Sequence, residues 1–166
     1  LEIDGPYWID KLDLQRHPEG GYFRETFRSD RCIRRDALSS EYDGDRSAQT
    51  AIYYLLSGDD RSKFHRLHSD EIWHFYAGSA ITLYIILRDG KLQKIKLGSD
   101  PGNSEFPQAA INRGVWFGAK VDRRDSYALL GCTVAPGFEF NDFELASRDL
   151  LIKEYPEHRK IIEDLT

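Results

Sequence analysis

Ten short runs rich in β-branched and aromatic residues, cut apart by turn signals, constrain this chain more than any other feature. They fall near 22–28, 49–57, 63–67, 71–77, 80–87, 91–97, 107–112, 114–119, 126–134 and 143–146. Between them stand Ser57-Gly58-Asp59-Asp60, Arg88-Asp89-Gly90 and Gly98-Ser99-Asp100-Pro101-Gly102-Asn103. Asp89-Gly90 between Leu-rich segments is a strong hairpin signal, because both residue types tolerate the positive φ of a tight turn. Many short strands with regular turns hide their edges by forming a sandwich or a barrel. The expected fold is therefore all-β, in one domain over 1–166.

The ends read differently. Tyr7, Trp8, Leu12 and Leu14 give 7–14 a helical pattern, which His17-Pro18-Glu19-Gly20-Gly21 breaks. The tail, 147–166, is helical again and is divided by Pro156. Short N-terminal and C-terminal helices are thus expected to pack outside the strands, where they would help form a homodimer. Residues 38–48 hold Ser, Asp and Gly and are expected to be the mobile loop.

Composition narrows the function. The net charge of -5 argues against a nucleic-acid polymer as partner, while leaving room for a small anion held by a few arginines. No run approaches the roughly 18 apolar residues of a membrane span, and the first residues do not read as a signal peptide. The chain has no Met, so its natural start is expected to lie upstream. Two cysteines, Cys32 and Cys132, are too few for a stapled secreted scaffold, so a reducing, cytoplasmic setting is expected. Cys132, inside an apolar run, reads as a small buried hydrophobe. Aromatic residues reach 13%, which excludes disorder and raises the question of whether the rings fill a core or wall a pocket.

Three of the five histidines lie close together, in Phe64-His65-Arg66-Leu67-His68-Ser69-Asp70-Glu71-Ile72-Trp73-His74. Histidine and carboxylate are the usual ligands of zinc, iron and manganese. The stretch reads as strand, turn, strand. Alternation then puts Glu71, Trp73 and Phe75 on one face, with His74 and Tyr76 on the other. His68 and His74 read as hydrogen-bonded surface or interface residues. His65 with Glu71 reads as a pocket pair, since a carboxylate beside Phe64, Trp73 and Phe75 needs a partner.

These residues resemble the cupin superfamily. Its first motif runs His-x-His, three or four residues, Glu, six residues, Gly; here His65, Glu71 and Gly78 match, and Leu67 stands at the second histidine. Its second motif, Pro-x-Gly-x-x-His, is matched at Gly114, but Phe117 replaces the final histidine. Longer strings look like one cupin branch catalogued as a domain of unknown function. They are His17-Pro18-Glu19-Gly20-Gly21-Tyr22-Phe23-Arg24-Glu25-Thr26, 69–78 and 131–140. The resemblance implies a jelly-roll β-barrel, the double-stranded β-helix, usually dimeric, with a ligand pocket in its mouth. The branch in turn is similar to the dTDP-dehydrorhamnose epimerases, through Gly21-Tyr22-Phe23-Arg24-Glu25. Those enzymes act on a nucleoside diphosphate sugar without a metal, through a histidine base whose role His65 would take.

The expectation is a small-molecule-binding barrel that holds a nucleotide or nucleotide-sugar and uses no cofactor. Phe23, Phe64, Trp73, Phe75, Trp116 and Tyr84 would supply rings, because base–aromatic stacking contributes roughly 1–3 kcal/mol. Arg24, Lys63, Arg66 and Lys120 would supply charge for phosphate. Glu25 and Glu139 would stand at the barrel mouth. One alternative is a metal-independent epimerase or isomerase with His65 as base and Glu71 orienting it. Another is a metal-dependent oxygenase or isomerase ligated by His65, His68 and Glu71. A noncatalytic storage role is the last.

Overall fold

A computed structural model describes residues 3–166. Helix α1, Gly5–Leu12, begins where Asp4 accepts a 2.8 Å bond from the Tyr7 amide and ends at Asp13 in the left-handed region. Thirteen strands come next. They are β1 (Gln15–Arg16), β2 (Tyr22–Arg28), β3 (Cys32–Ile33), β4 (Arg46–Ser47), β5 (Thr50–Ser57), β6 (Arg61–Leu67), β7 (Asp70–Gly78), β8 (Ile81–Ile86), β9 (Leu92–Leu97), β10 (Gln108–Ile111), β11 (Trp116–Val121), β12 (Tyr127–Ala135) and β13 (Phe143–Leu145). Helices α2 (Arg148–Glu154) and α3 (Arg159–Asp164) close the chain, separated by a short turn at Pro156–His158. Each expected strand is present. The short β1, β3 and β4 carry too few residues for an alternation to register.

Two antiparallel sheets make a jelly-roll barrel. One runs β1-β2-β5-β12-β7-β10, the other β13-β6-β11-β8-β9. Side chains from both meet in one core, in which Tyr54, Trp73, Leu83, Phe117 and Leu130 are packed. The outer faces are covered in part by the helices. Trp8, Ile9 and Leu12 of α1 lie on Leu55 and Leu129 of the first sheet. Leu151, Ile152 and Ile162 of α2 and α3 lie on Phe64, Ile86 and Trp116 of the second.

Two irregularities set which residues face inward. In β2 the register shifts between Glu25 and Phe27, so Thr26 is an extra residue. Phe23 and Glu25 face the interior as alternation requires. Beyond the bulge, Phe27 points out to solvent and Arg28 turns in toward a cavity between the sheets. In β6 against β11 the register also shifts, so that Ser62 and His65 both lie on the inner side while Phe64 points out beneath the C-terminal helices.

The segment 38–48 departs from the sequence expectation of a mobile loop. Tyr42 and Arg46 are each only 4% exposed. Arg46 reaches Asp142 through Nε at 2.7 Å and Nη2 at 2.6 Å, and Nη2 also binds Asp43. The Tyr42 hydroxyl donates to the His68 carbonyl or shares a proton with Ser69. Polar composition marks a loop, but here the polar groups are the anchors.

Candidate functional site

A cavity of about 100 Å³ opens at one end of the barrel between the two sheets. Among its buried polar groups is Glu19, held in the turn between β1 and β2. Gly20, at φ 114, makes that turn feasible: a Cβ there would fall 2.0 Å from the Arg61 carbonyl oxygen. The Glu19 carboxylate accepts from Ser62 Oγ at 2.8 Å and lies 3.2 Å from His65 Nε2. The other ring nitrogen of His65, Nδ1, is 2.7 Å from the Lys63 carbonyl. A carbonyl only accepts, so Nδ1 carries a hydrogen. Nε2 then faces the Glu19 carboxylate.

His17 stands on the other side of the same carboxylate, with Nδ1 3.6 Å from Glu19 Oε2. Its Nδ1 accepts from the Glu19 amide at 3.2 Å, which places the hydrogen on Nε2. Burial lowers the His17 pKa, the charge of Glu19 opposes this, and His65 adds to the lowering. Glu71 is 7% exposed, and its Oε2 has no hydrogen-bond partner. Burial, reinforced by the charge of Glu19, pushes its pKa up to about 8. Glu71 is therefore a carboxylic acid at neutral pH, with a proton to give. Cys132 lies beside it, and burial pushes that thiol up as well, so it is no ready nucleophile.

The mouth is built differently. Arg28 binds Glu25 through Nε at 3.0 Å and Nη2 at 2.9 Å. It also reaches Glu139 at 2.7 Å and the Phe138 carbonyl at 3.0 Å. One guanidinium is thus shared by two carboxylates. Above it, Phe138, Phe140 and Phe143 meet nearly at right angles, with interplanar angles of 82°, 67° and 80°. Along the sequence, 17–21 reads as a break after the first helix and as part of a cupin-branch string, and neither reading gives His17 or Glu19 a place in the site. Arg28 goes unnoticed because strict alternation would point it outward. The signal for His17 and Glu19 is a histidine and a carboxylate two residues apart in a Gly-rich turn.

Residues 6–146 match the domain described as cupin superfamily (DUF985). The chain is a cupin. It is 32% identical to the uncharacterized protein YML079W of Saccharomyces cerevisiae over 143 residues, 81% of this chain and 71% of that protein. Among solved structures, protein SO0799 from Shewanella oneidensis superposes with a TM-score of 0.88 at 36% identity, covering 99% of this chain and 98% of that one. A hypothetical protein from Leishmania major gives 0.88 at 30% identity, with 99% of each covered. Oxalate decarboxylase from Bacillus subtilis shares the fold at a TM-score of 0.57 and 13% identity, covering 93% of this chain and 37% of that one.

Placed on this cupin barrel, the residues singled out from the sequence separate into two groups. His65, Glu71, Phe23, Glu25 and Glu139 meet in the cavity. The others do not, and for those on the outer faces the cause is that neighbours on a strand face opposite ways. Phe64 and Trp116 pack outward under the C-terminal helices, next to inward-facing His65 and Phe117. Lys120 pairs with Asp164 on the same outer side, beside Tyr84. Arg66 covers Trp116 from outside. Arg24 binds the Leu12 carbonyl at 3.1 Å beyond the first sheet. Trp73 and Phe75 face inward, but as part of the central packing. His65 has Glu19 as its carboxylate contact, where the sequence suggested Glu71.

The cupin metal set does not assemble here either. The His68 ring turns to Tyr42, with Nδ1 3.6 Å from Asp142, away from His65. Phe117 lies against the His65 ring with centroids 4.1 Å apart, at the position of a missing ligand. Both His65 nitrogens already have partners. Among the described residues no three His, Cys, Asp or Glu side chains are arranged to hold a metal ion. His65, His68 and Glu71 therefore do not fit one.

Proposed function

We propose that this cupin binds one small organic molecule inside the barrel and exchanges a proton with it, as a metal-independent isomerase or epimerase does. The observation that carries this reading is Glu71, a buried acid with an unpartnered oxygen, lining an apolar cavity beside a Glu19–His65 pair 3.2 Å apart. A buried acid and a carboxylate–imidazole pair lining one pocket supply the donor and acceptor that proton transfer next to a carbonyl requires. The roles differ from those the sequence suggested. Glu71 is the donor, and the Glu19–His65 pair is the acceptor, with His65 acting through Glu19.

The nucleoside diphosphate reading relied on Arg24, Lys63, Arg66 and Lys120 for phosphate. None of them lines the cavity, which offers a diphosphate only Arg28, already bound to Glu25 and Glu139. A sugar nucleotide would have to leave its phosphates at the mouth. Solvent exchange tests the whole reading. A panel of hydroxy- and amino-carbonyl compounds, free sugars and nucleoside diphosphate sugars is incubated with the protein in deuterium oxide and followed by NMR. Wild-type protein should place deuterium on carbon in at least one compound. Glu71→Gln and Glu19→Gln should each slow this by at least a hundredfold. No incorporation across the panel, or full rates in both variants, would overturn the proposal.

A further inference from the structure

The cavity has a charge and a wall chemistry that point to the class of its ligand. This inference rests on the reading that the cavity is a ligand site. Four acidic side chains line it, those of Glu19, Glu25, Glu71 and Glu139, of which Glu71 keeps its proton, against the single guanidinium of Arg28. Arg28 is bound by two of them, so the mouth is left with one negative charge beyond what the guanidinium neutralises. Deeper in, Glu71 Oε2 is buried, faces the lining and has no partner. An anion entering here would meet that negative charge at the mouth, where the one guanidinium is already bound. A cation would meet complementary charge.

The aromatic residues supply the second, independent observation. Phe138, Phe140 and Phe143 have ring centroids 5.0, 6.2 and 6.3 Å apart and meet in a corner that His17 borders, 6.1 Å from Phe140 and 6.0 Å from Phe143. No Lys or Arg side chain stacks on these rings: the cation–ring contacts of the described residues involve Tyr22, Tyr42, Trp116 and Tyr84, all elsewhere. Phe140 is 50% exposed, although it is a large apolar side chain at a pocket mouth. Ring faces carry partial negative charge and attract ammonium groups, most strongly where water is excluded. Rings at right angles, backed by carboxylates, are the arrangement that recognises quaternary or alkylated amines.

We infer that the ligand of this pocket is an organic cation, an amine or quaternary ammonium compound about the size of choline, seated in the Phe138–Phe140–Phe143 corner with its polar end toward Glu71. The test pairs choline with its uncharged carbon isostere, 3,3-dimethylbutanol, in calorimetric titrations of the full chain, with inorganic pyrophosphate as the anionic probe. Choline should bind at least tenfold more tightly than the isostere, and pyrophosphate should not bind. Phe140→Leu, at a half-exposed position that the fold tolerates, should weaken choline at least fivefold while changing the isostere less than twofold. Equal affinity for choline and isostere would overturn the assignment of charge while leaving the cavity a ligand site. Tighter binding of pyrophosphate would overturn it in favour of an anion. Absence of choline binding, with deuterium exchange still observed on an uncharged compound, would overturn it and leave the proposed function standing. Loss of both would remove both.

Discussion

At the scale of single residues, the site is a problem in where protons reside. Glu71 is neutral because ionising it would bury a charge near Glu19, and neither Trp73 nor Cys132 compensates enough to reverse this. The raised pKa has a consequence for stability. The unfolded chain releases this proton near pH 4.5, the folded chain only near 8, so the folded state binds more protons in between. Stability therefore falls as pH rises across that window, by at most about 1.4 kcal/mol per pH unit for one proton. His17 works the other way on the acid side. Its lowered pKa means that folding releases a proton, so its contribution is lost as pH falls through its ordinary range. Glu71→Gln should flatten the decline between neutral pH and 8 and make the variant the more stable protein there. Denaturant titrations at several pH values check this, and an unchanged slope would show that Glu71 is ionised in the native protein.

At the scale of elements, the mouth is a matter of anchoring. The segment 136–142 carries Phe138 and Phe140 across the opening. It is tied at one end by the Phe138 amide on Thr50 Oγ1 at 2.9 Å and at the other by Asp142 on Arg46. Asp142 and Arg46 are both buried, and Arg46 in turn belongs to 38–48. One ion pair therefore fixes two segments that sequence alone reads as loops. Removing one partner of a buried pair leaves the other charge without compensation, which typically costs roughly 3–5 kcal/mol. Asp142→Ala should lower stability in denaturant by that amount and raise amide exchange in both 38–48 and 136–142. A change confined to one segment would show that the pair does not join them.

At the scale of the whole molecule, the barrel is covered unevenly. The family match ends at residue 146, yet the second sheet depends on the two C-terminal helices beyond it. The Phe64 amide donates to the Leu165 carbonyl at 2.8 Å, and Phe64, Ile86 and Trp116 are buried under α2 and α3. These helices lie on the face opposite the cavity and contribute no residue to its lining. Truncation after residue 146 should therefore leave every pocket residue in place and still fail, because it exposes a contiguous apolar patch. The expected result is strong binding of a hydrophobic dye, with aggregation or a loss of several kcal/mol in denaturant. A soluble truncated chain of full stability would show that the helices are dispensable. No helix among the described residues is long and apolar enough to cross a membrane.

The sequence by itself determined the all-β class, the strands β2 and β5 to β13, the helices at both ends and the likeness to cupins. These come from local chemistry: alternation of side chains, the turn preference of Asp-Gly, the intolerance of strands for proline, and strings of residues read in order. It also pointed to His65 and Glu71 together, because they sit close along the chain. Tertiary structure decided which groups actually share a cavity. Glu19 reaches His65 only because a Gly20 turn brings it under Arg61, across more than forty residues of chain. Arg28 turns inward only because Thr26 is an extra residue in β2. Phe64, Trp116 and Lys120 turn away only because each stands one position off an inward-facing neighbour. A strand's alternation shows which residues share a face, but a single bulge reverses the assignment, and bulges are set by pairing with a distant strand. That is why Phe64, Trp116, Tyr84 and the cations expected around a nucleotide lie outside, while the interior assembled acids, histidines and a corner of phenylalanines.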